Sequence, residues 1–246
     1  MGLLDGKKGI VTGGGSGLGR ANSLGLAAEG AEIAVADLRL ETAQKTASDI
    51  VAAGGKAVAI QVDVSKGDEV QTLVDKAAES LGRIDLLVNC AGILPKTPLI
   101  DMSEEEWRRV MDINMTSMFF TCRAVARQII AQGSGGKMVN FASGRGVSGM
   151  ENASHYSASK GAIIAFTAAI GMELGHHGIN VNAVCPGAAD TPMMRSATDD
   201  ASVEFLSNAP YNRRLVKPED IVGSVLFLLT DLSKEYYGQT LFMKAT

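Results

Sequence analysis

Thr12-Gly13-Gly14-Gly15-Ser16-Gly17-Leu18-Gly19 lies between the apolar run Gly9-Ile10-Val11-Thr12 and a helix-forming stretch that begins at Gly17. A glycine-rich turn of this kind lets a chain leave a strand and enter a helix abruptly. It also lets backbone N–H groups at the helix N-terminus approach a pyrophosphate. The GxGxxG and GxxxxGK[ST] spacings are both absent; the spacing is TGxxxGxG. Read alone, the turn is either a phosphate cradle or a close packing corner.

Outward from this turn, short runs rich in Val, Ile and Leu recur at 9–12, 32–36, 57–62, 84–89, 137–142, 180–184 and 240–243. Helical patterns fill the intervals at 17–29, 41–53, 66–81, 103–131, 156–175 and 218–229. Short, continuously apolar strands alternating with helices predict an α/β fold. The expected form is a doubly wound parallel sheet of about seven strands with helices on both faces. Pro218 followed by Glu219 and Asp220 suits a helix start. Ser103 with Glu106 fits a capping box. No repeat or linker divides the chain, so residues 1–246 are expected to form a single catalytic domain. The stretch 188–217 is long and mixes Met193, Met194, Phe205, Leu206 and Tyr211 with Arg195, Asp199 and Asp200. Long connections after strands are commonly functional, and this one is expected to be a substrate lid.

Composition narrows the partners. The chain has 246 residues, 46% of them hydrophobic, and a net charge of −4. That supports a substantial core, and with no basic block it argues against nucleic acid. The longest apolar stretch, 162–172, is interrupted by Thr167 and is far short of the roughly 20 residues of a membrane span. Asp5 stands where a signal peptide would be apolar, and Gly6 breaks the myristoylation pattern. A cytoplasmic protein with no membrane partner is expected. Cys90, Cys122 and Cys185 form no CxxC, and HExxH is absent, so neither a disulfide framework nor a metal site is expected.

Asp37 ends the second strand-like run, where a carboxylate can accept hydrogen bonds from an adenine-side ribose. It would repel a 2′-phosphate. No Arg or Lys occupies the glycine turn, and Leu38 follows Asp37, so NAD is favoured over NADP. Further along, Tyr156 and Lys160 are four apart and share a helix face. An ammonium stabilises a phenolate and lowers the phenol pKa. A serine such as Ser143, after a strand end, can hold a substrate oxygen while the tyrosine exchanges a proton.

Taken together, Thr12–Gly19, Asp63-Val64, Asn89-Cys90-Ala91-Gly92, Asn114, Ser143, Tyr156-Ser-Ala-Ser-Lys160 and Pro186-Gly187 with Thr191 resemble the ordered motifs of the short-chain dehydrogenase/reductase family. The resemblance covers essentially the whole chain. It implies a Rossmann-like fold, a nicotinamide cofactor and hydride transfer between that cofactor and a small-molecule alcohol or ketone. It also implies roles. Tyr156 is the general acid/base, Lys160 lowers its pKa and binds the nicotinamide ribose, and Ser143 polarises the carbonyl. Asn114 holds a proton-relay water. Gly13, Ser16, Gly17, Leu18 and Gly19 hold the pyrophosphate, and Asp37 and Leu38 hold the ribose. Asp63 and Val64 contact adenine, while Asn89, Ala91 and Gly92 shape the cofactor floor. Pro186, Gly187, Ala189 and Thr191 hold the nicotinamide end.

The chain departs from the family pattern at Cys90, where a second asparagine is common, and at Ala189, smaller than the usual branched residue. Met243-Lys244-Ala245-Thr246 lacks the frequent Asp-Gly-Gly ending. Arg145 stands where small residues are common and is expected to face solvent. Within the enzyme reading, the alternative is a 3-oxoacyl carrier-protein reductase, although Ser16 replaces the arginine expected there. A remoter alternative is a non-catalytic NAD-binding sensor. Ser157-Ala-Ser-Lys160 matches the SxxK of acyl hydrolases, but SDN and KTG are absent. Met115, Met118, Phe119 and Phe120, with Ile163, Ile164, Phe166 and Ile170, exceed what one sheet contact buries. A homo-oligomer is expected, a tetramer in preference to a dimer.

Overall fold

The computed structural model describes residues 2–197 and 214–243. Among them, strands and helices alternate as β1 (Lys8–Thr12), α1 (Gly17–Ala28), β2 (Glu32–Asp37), α2 (Leu40–Ala52), β3 (Ala57–Gln61), α3 (Gly67–Leu81) and β4 (Leu86–Asn89). The second half continues with α4 (Glu104–Met111), α5 (Ser117–Gln132), β5 (Gly136–Phe141), α6 (Arg145–Ser148), α7 (Ser154–Gly175), β6 (Ile179–Cys185), α8 (Pro192–Ser196), α9 (Pro218–Leu229) and β7 (Thr240–Phe242). The seven strands form one sheet in the order β3-β2-β1-β4-β5-β6-β7. Every pairing is parallel.

Alternation along each strand builds two cores, because successive side chains point to opposite faces. Ile10, Ala34 and Ala36 pack with Val70 and Leu73 of α3, Val125 and Ile129 of α5, and Ile163 of α7. Val11, Ile33 and Val35 pack on the other face with Leu26 of α1, Ile50 of α2, and Ile221 and Val225 of α9. The strand order reverses between β1 and β4, and open α/β sheets open a ligand crevice at the carboxyl ends of the strands there.

The expected single helix over 103–131 is interrupted. A π-helical turn, Asp112–Thr116, joins α4 to α5 and carries the buried Asn114. Such turns insert one residue into a helix and often occur at functional sites. Hydrophobic periodicity does not reveal them. The expected lid lies partly outside the described residues, and Asp199, Asp200, Phe205, Leu206 and Tyr211 are among those not described. Its described ends are pinned together: Ala189 pairs with Val216 in a parallel bridge, and Asp190 N–H donates to the Val216 carbonyl at 2.8 Å. No described helix is long and apolar enough to cross a membrane.

Candidate active site

The glycine turn leaves β1 and opens α1 as its spacing predicts. Ser16 caps α1 with an extended backbone and no side-chain bond, which leaves the helix N-terminus open. Unbonded N–H groups and the helix dipole make that end attractive to an anion. A side chain at Gly19 would overlap the Gly13 carbonyl, so only glycine lets the turn close on the helix. At Gly15, a Cβ would overlap Thr42 and crowd the Asp37 carboxylate. Instead Gly15 N–H donates to Asp37 Oδ2 at 3.0 Å, and Arg39 N–H donates to Oδ1 at 3.1 Å. Asp37 is thereby fixed at the rim of the turn, 8% exposed. Leu38 beside it is exposed.

Asp63 is held locally. Its Oδ1 accepts the Ser65 hydroxyl at 2.7 Å and the Ser65 N–H at 3.1 Å. The Ser65 hydroxyl, with Lys66 nearby, keeps this carboxyl below its usual range. Val64 is buried in the core. Leu38, Gln61, Asp63 and Lys66 border an open cleft along β3 that none of Ser143, Tyr156 or Lys160 reaches.

The floor is a buried polar chain. Asn89 Oδ1 accepts the Thr12 hydroxyl at 3.4 Å, and its amide donates to Asn140 Oδ1 at 3.0 Å. Asn140 in turn donates to the Thr167 hydroxyl at 3.0 Å. Asn89 is therefore an internal strut between β1, β4 and β5. Cys90, where a second asparagine is common, packs as a small apolar group against the core. Burial pushes its thiol pKa upward. Burial also raises Cys185 to about 11 and Cys122 to about 12, so all three stay protonated near neutrality. Among the described residues no cluster could hold a metal ion.

Ser143, Tyr156 and Lys160 line one cavity of about 430 Å³ with Gly92, Pro186, Gly187, Ala189, Thr191 and Leu18. Ser143 follows β5; Tyr156 and Lys160 lie on the first turns of α7. Lys160 Nζ sits 5.7 Å from the Tyr156 ring centroid and donates to the Phe141 carbonyl at 2.7 Å. Burial lowers Lys160 to about 8. Burial raises the Tyr156 phenol, while the Ser143 hydroxyl and the Arg145 charge pull it down. Arg145 adds a second positive charge on the phenol side, beside the buried Lys160 ammonium that faces the ring. Arg145 is exposed, as expected, yet it also borders the cavity. Its N–H donates to Ser143 Oγ at 3.2 Å.

The side-chain amide of Asn114, the residue that the resemblance assigns to a relay water, is fixed by three hydrogen bonds. Oδ1 accepts Ile93 N–H at 2.8 Å; Nδ2 donates to the Ile93 carbonyl at 3.0 Å and to Ser159 Oγ at 3.1 Å. Both amide hydrogens are engaged, and only a lone pair of Oδ1 remains. Thr191 caps α8, accepting Met194 N–H at 3.2 Å. Its hydroxyl donates to the Ala189 carbonyl at 3.4 Å. Sequence reasoning missed Asn140, Thr167, Ser159, His155 and Glu106. His155 precedes Tyr156 directly, and that adjacency was its available signal.

Comparison with known proteins agrees with this geometry. The family model described as short chain dehydrogenase matches residues 7–202. The chain is 36% identical to a 3-oxoacyl-[acyl-carrier-protein] reductase of Synechocystis sp., over 98% of this chain and 96% of that one. It is 35% identical to a 2-dehydro-3-deoxy-D-gluconate 5-dehydrogenase of Escherichia coli, over 97% and 94%. A crystal structure of a short-chain type dehydrogenase/reductase from Mycobacterium marinum superimposes with a TM-score of 0.92 at 34% identity, over 98% and 95%.

Proposed function

The chain belongs to the short-chain dehydrogenase family of oxidoreductases, and on that premise we propose an NAD(H)-dependent enzyme acting between a secondary alcohol and its ketone. The observation that carries this reading is the single cavity bordered by Ser143, Tyr156 and Lys160, beside an open helix N-terminus. The residues fit a dinucleotide: Gly15 and Gly19 let the turn close tightly on Asp37 and on α1, the α1 N-terminus carries no side-chain cap, and Asp37 offers a fixed carboxylate at the ribose end. When bound, the nicotinamide supplies or accepts the hydride. The chain handles the proton. Ser143 Oγ orients the substrate oxygen, the Tyr156 hydroxyl gives or takes its proton, and Lys160 keeps positive charge behind the phenol. Leu94, Val147, Met150, Met193 and Met194 give the cavity an apolar wall that limits water.

A substrate panel tests this reading: cyclohexanol, isopropanol, sorbitol and acetoacetate, followed by NADH absorbance. Turnover of at least one, lowered by about 10²-fold or more in Tyr156→Phe, is expected. NADH binding with no turnover across the panel would favour the sensor. The 36% identity to the Synechocystis reductase supports a second reading, a 3-oxoacyl carrier-protein reductase. Faster reduction of acetoacetyl carrier protein with NADPH than of any free ketone with NADH would establish it.

Cofactor choice follows from Asp37. A 2′-phosphate beside that carboxylate loses about 1.4 kcal/mol or more, a factor of about ten. NAD is therefore expected to give at least about tenfold higher kcat/KM than NADP. Equal turnover with the two cofactors would remove Asp37 from the ribose site.

Assembly is the last part of the proposal. Phe119 on α5 is 39% exposed and Met172 on α7 is 75% exposed, while Met115, Phe120, Ile164, Phe166 and Ile170 are half-buried. Pairing of these helices between copies would cover that surface, and a tetramer is favoured over a dimer. Light scattering at micromolar concentration is expected to give a multiple of 25.7 kDa. A mass of one chain would contradict it.

A further inference from the structure

Tyr156 is the third residue of α7, and the first N–H groups of a helix find no carbonyl within it. Ala153, at the cap position, brings no side-chain acceptor. The Tyr156 N–H is taken instead by His155 Nδ1 at 2.9 Å. That bond assigns the Nδ1 lone pair, so the neutral ring carries its proton on Nε2. Nε2 lies 3.0 Å from Glu106 Oε1, and His155 is wholly buried.

Glu106 is a residue diverted from its local task. Ser103 caps α4 by accepting Glu106 N–H at 3.1 Å, which is half of the expected capping box. The returning half, carboxylate to the Ser103 N–H, is not formed. The carboxylate turns toward α7, where Oε1 takes both His155 and the Thr97 hydroxyl, the latter at 2.7 Å. Thr97 N–H donates to the Asn152 carbonyl at 2.7 Å, tying the same loop to the start of α7. On the other side, Ser159 Oγ donates to the Tyr156 carbonyl at 2.7 Å and accepts Asn114 Nδ2. The main chain of Tyr156 is thus gripped by side chains at its N–H and at its C=O.

We propose that Glu106 and His155 are a positioning pair for Tyr156: the carboxylate on α4 orients the imidazole, and the imidazole fixes the backbone that carries the phenol. The proposal rests on Tyr156 being the proton-transfer group. Its physical basis is that proton transfer needs the phenol oxygen within hydrogen-bond reach of the substrate oxygen, and a misplacement of about 1 Å costs on the order of 10²-fold in rate. Neither residue borders the cavity, so neither is catalytic in the strict sense.

The test compares His155→Phe, which removes the acceptor, with His155→Asn, whose Oδ1 can still take the Tyr156 N–H. NADH affinity, read by fluorescence, is expected to stay within about twofold in both, since the glycine turn is untouched. With the alcohol that the parent turns over fastest, His155→Phe is expected to lower kcat by about tenfold or more with little change in KM. His155→Asn is expected to recover most of that loss. Ultraviolet titration of the Tyr156 phenolate, as the difference from the matching Tyr156→Phe protein, needs no substrate. Its midpoint is expected to move by about half a pH unit or more in His155→Phe and to return in His155→Asn. A lower Tm with unchanged kcat per folded molecule and an unchanged midpoint would overturn the proposal. If His155→Phe does not fold, Glu106→Leu against Glu106→Gln decides by the same readouts, because Gln keeps the acceptor. If the parent turns over no alcohol or ketone, the dehydrogenase reading fails, and the titration still decides the positioning.

Discussion

Tyr156→Phe is expected to lower kcat by about 10²–10⁴, the range that general acid–base catalysis supplies. The substitution deletes one hydroxyl from a ring that is 9% exposed and already packed, so the shape of the cavity survives. Asp37, Gly15 and Gly19 are untouched, so NADH affinity should persist. The pH dependence gives an independent check. Oxidation of an alcohol needs the phenolate, so its rate rises with pH toward the Tyr156 pKa. Reduction needs the phenol, so its rate falls above it. Burial raises that pKa, and Ser143 and Arg145 oppose the rise. In Tyr156→Phe both limbs should flatten. Near-parental kcat with a good substrate would show that another group moves the proton.

Lys160→Met is expected to produce opposite effects on rate and stability. Lys160 is buried with its Nζ on the Phe141 carbonyl, and burial lowers its pKa from 10.5 to about 8. A lowered lysine pKa means that the folded state disfavours the charged form. The sign follows from proton linkage. Below pH 8 both folded and unfolded chains hold the proton and the full penalty applies. Between pH 8 and 10.5 the unfolded chain binds more protons, so stability rises with pH and the penalty fades. Methionine fills similar volume without charge, although it leaves the Phe141 carbonyl without this donor. The net gain at pH 7 is expected to be on the order of 1–2 kcal/mol, seen as a higher Tm whose advantage shrinks above pH 8. Activity should meanwhile fall by about 10² or more, the scale of a lost contribution to proton transfer. A Tm below that of the parent at pH 7 would show that the Phe141 bond outweighs the buried charge.

Much of this architecture was legible because it is local and periodic. The strand runs are short and apolar, the glycine turn has a fixed spacing, and Tyr156 and Lys160 are one helical turn apart. Each statement needed only neighbours in sequence. What escaped was set by contacts between distant segments. Ser103 and Glu106 read as a capping box because four residues cannot show that a histidine far along the chain competes for the carboxylate. Asn89 read as cofactor floor from its motif, but its bonds to Thr12 and Asn140, which tie three strands together beneath that floor, join residues far apart in sequence. Asn114 was identified, but not the π turn that buries it, because one inserted residue scarcely disturbs a hydrophobic pattern.

The π turn at Asp112–Thr116 also governs azimuth. An α-helix advances about 100° per residue, so one inserted residue rotates everything after it relative to everything before. The two halves of the element face different neighbours, α4 toward α7 and α5 toward α3. The offset lets one length of chain serve the wall that carries Tyr156 and the sheet core on separate bearings. Asn114 is the hub of that rotation, pinned to Ile93 and Ser159.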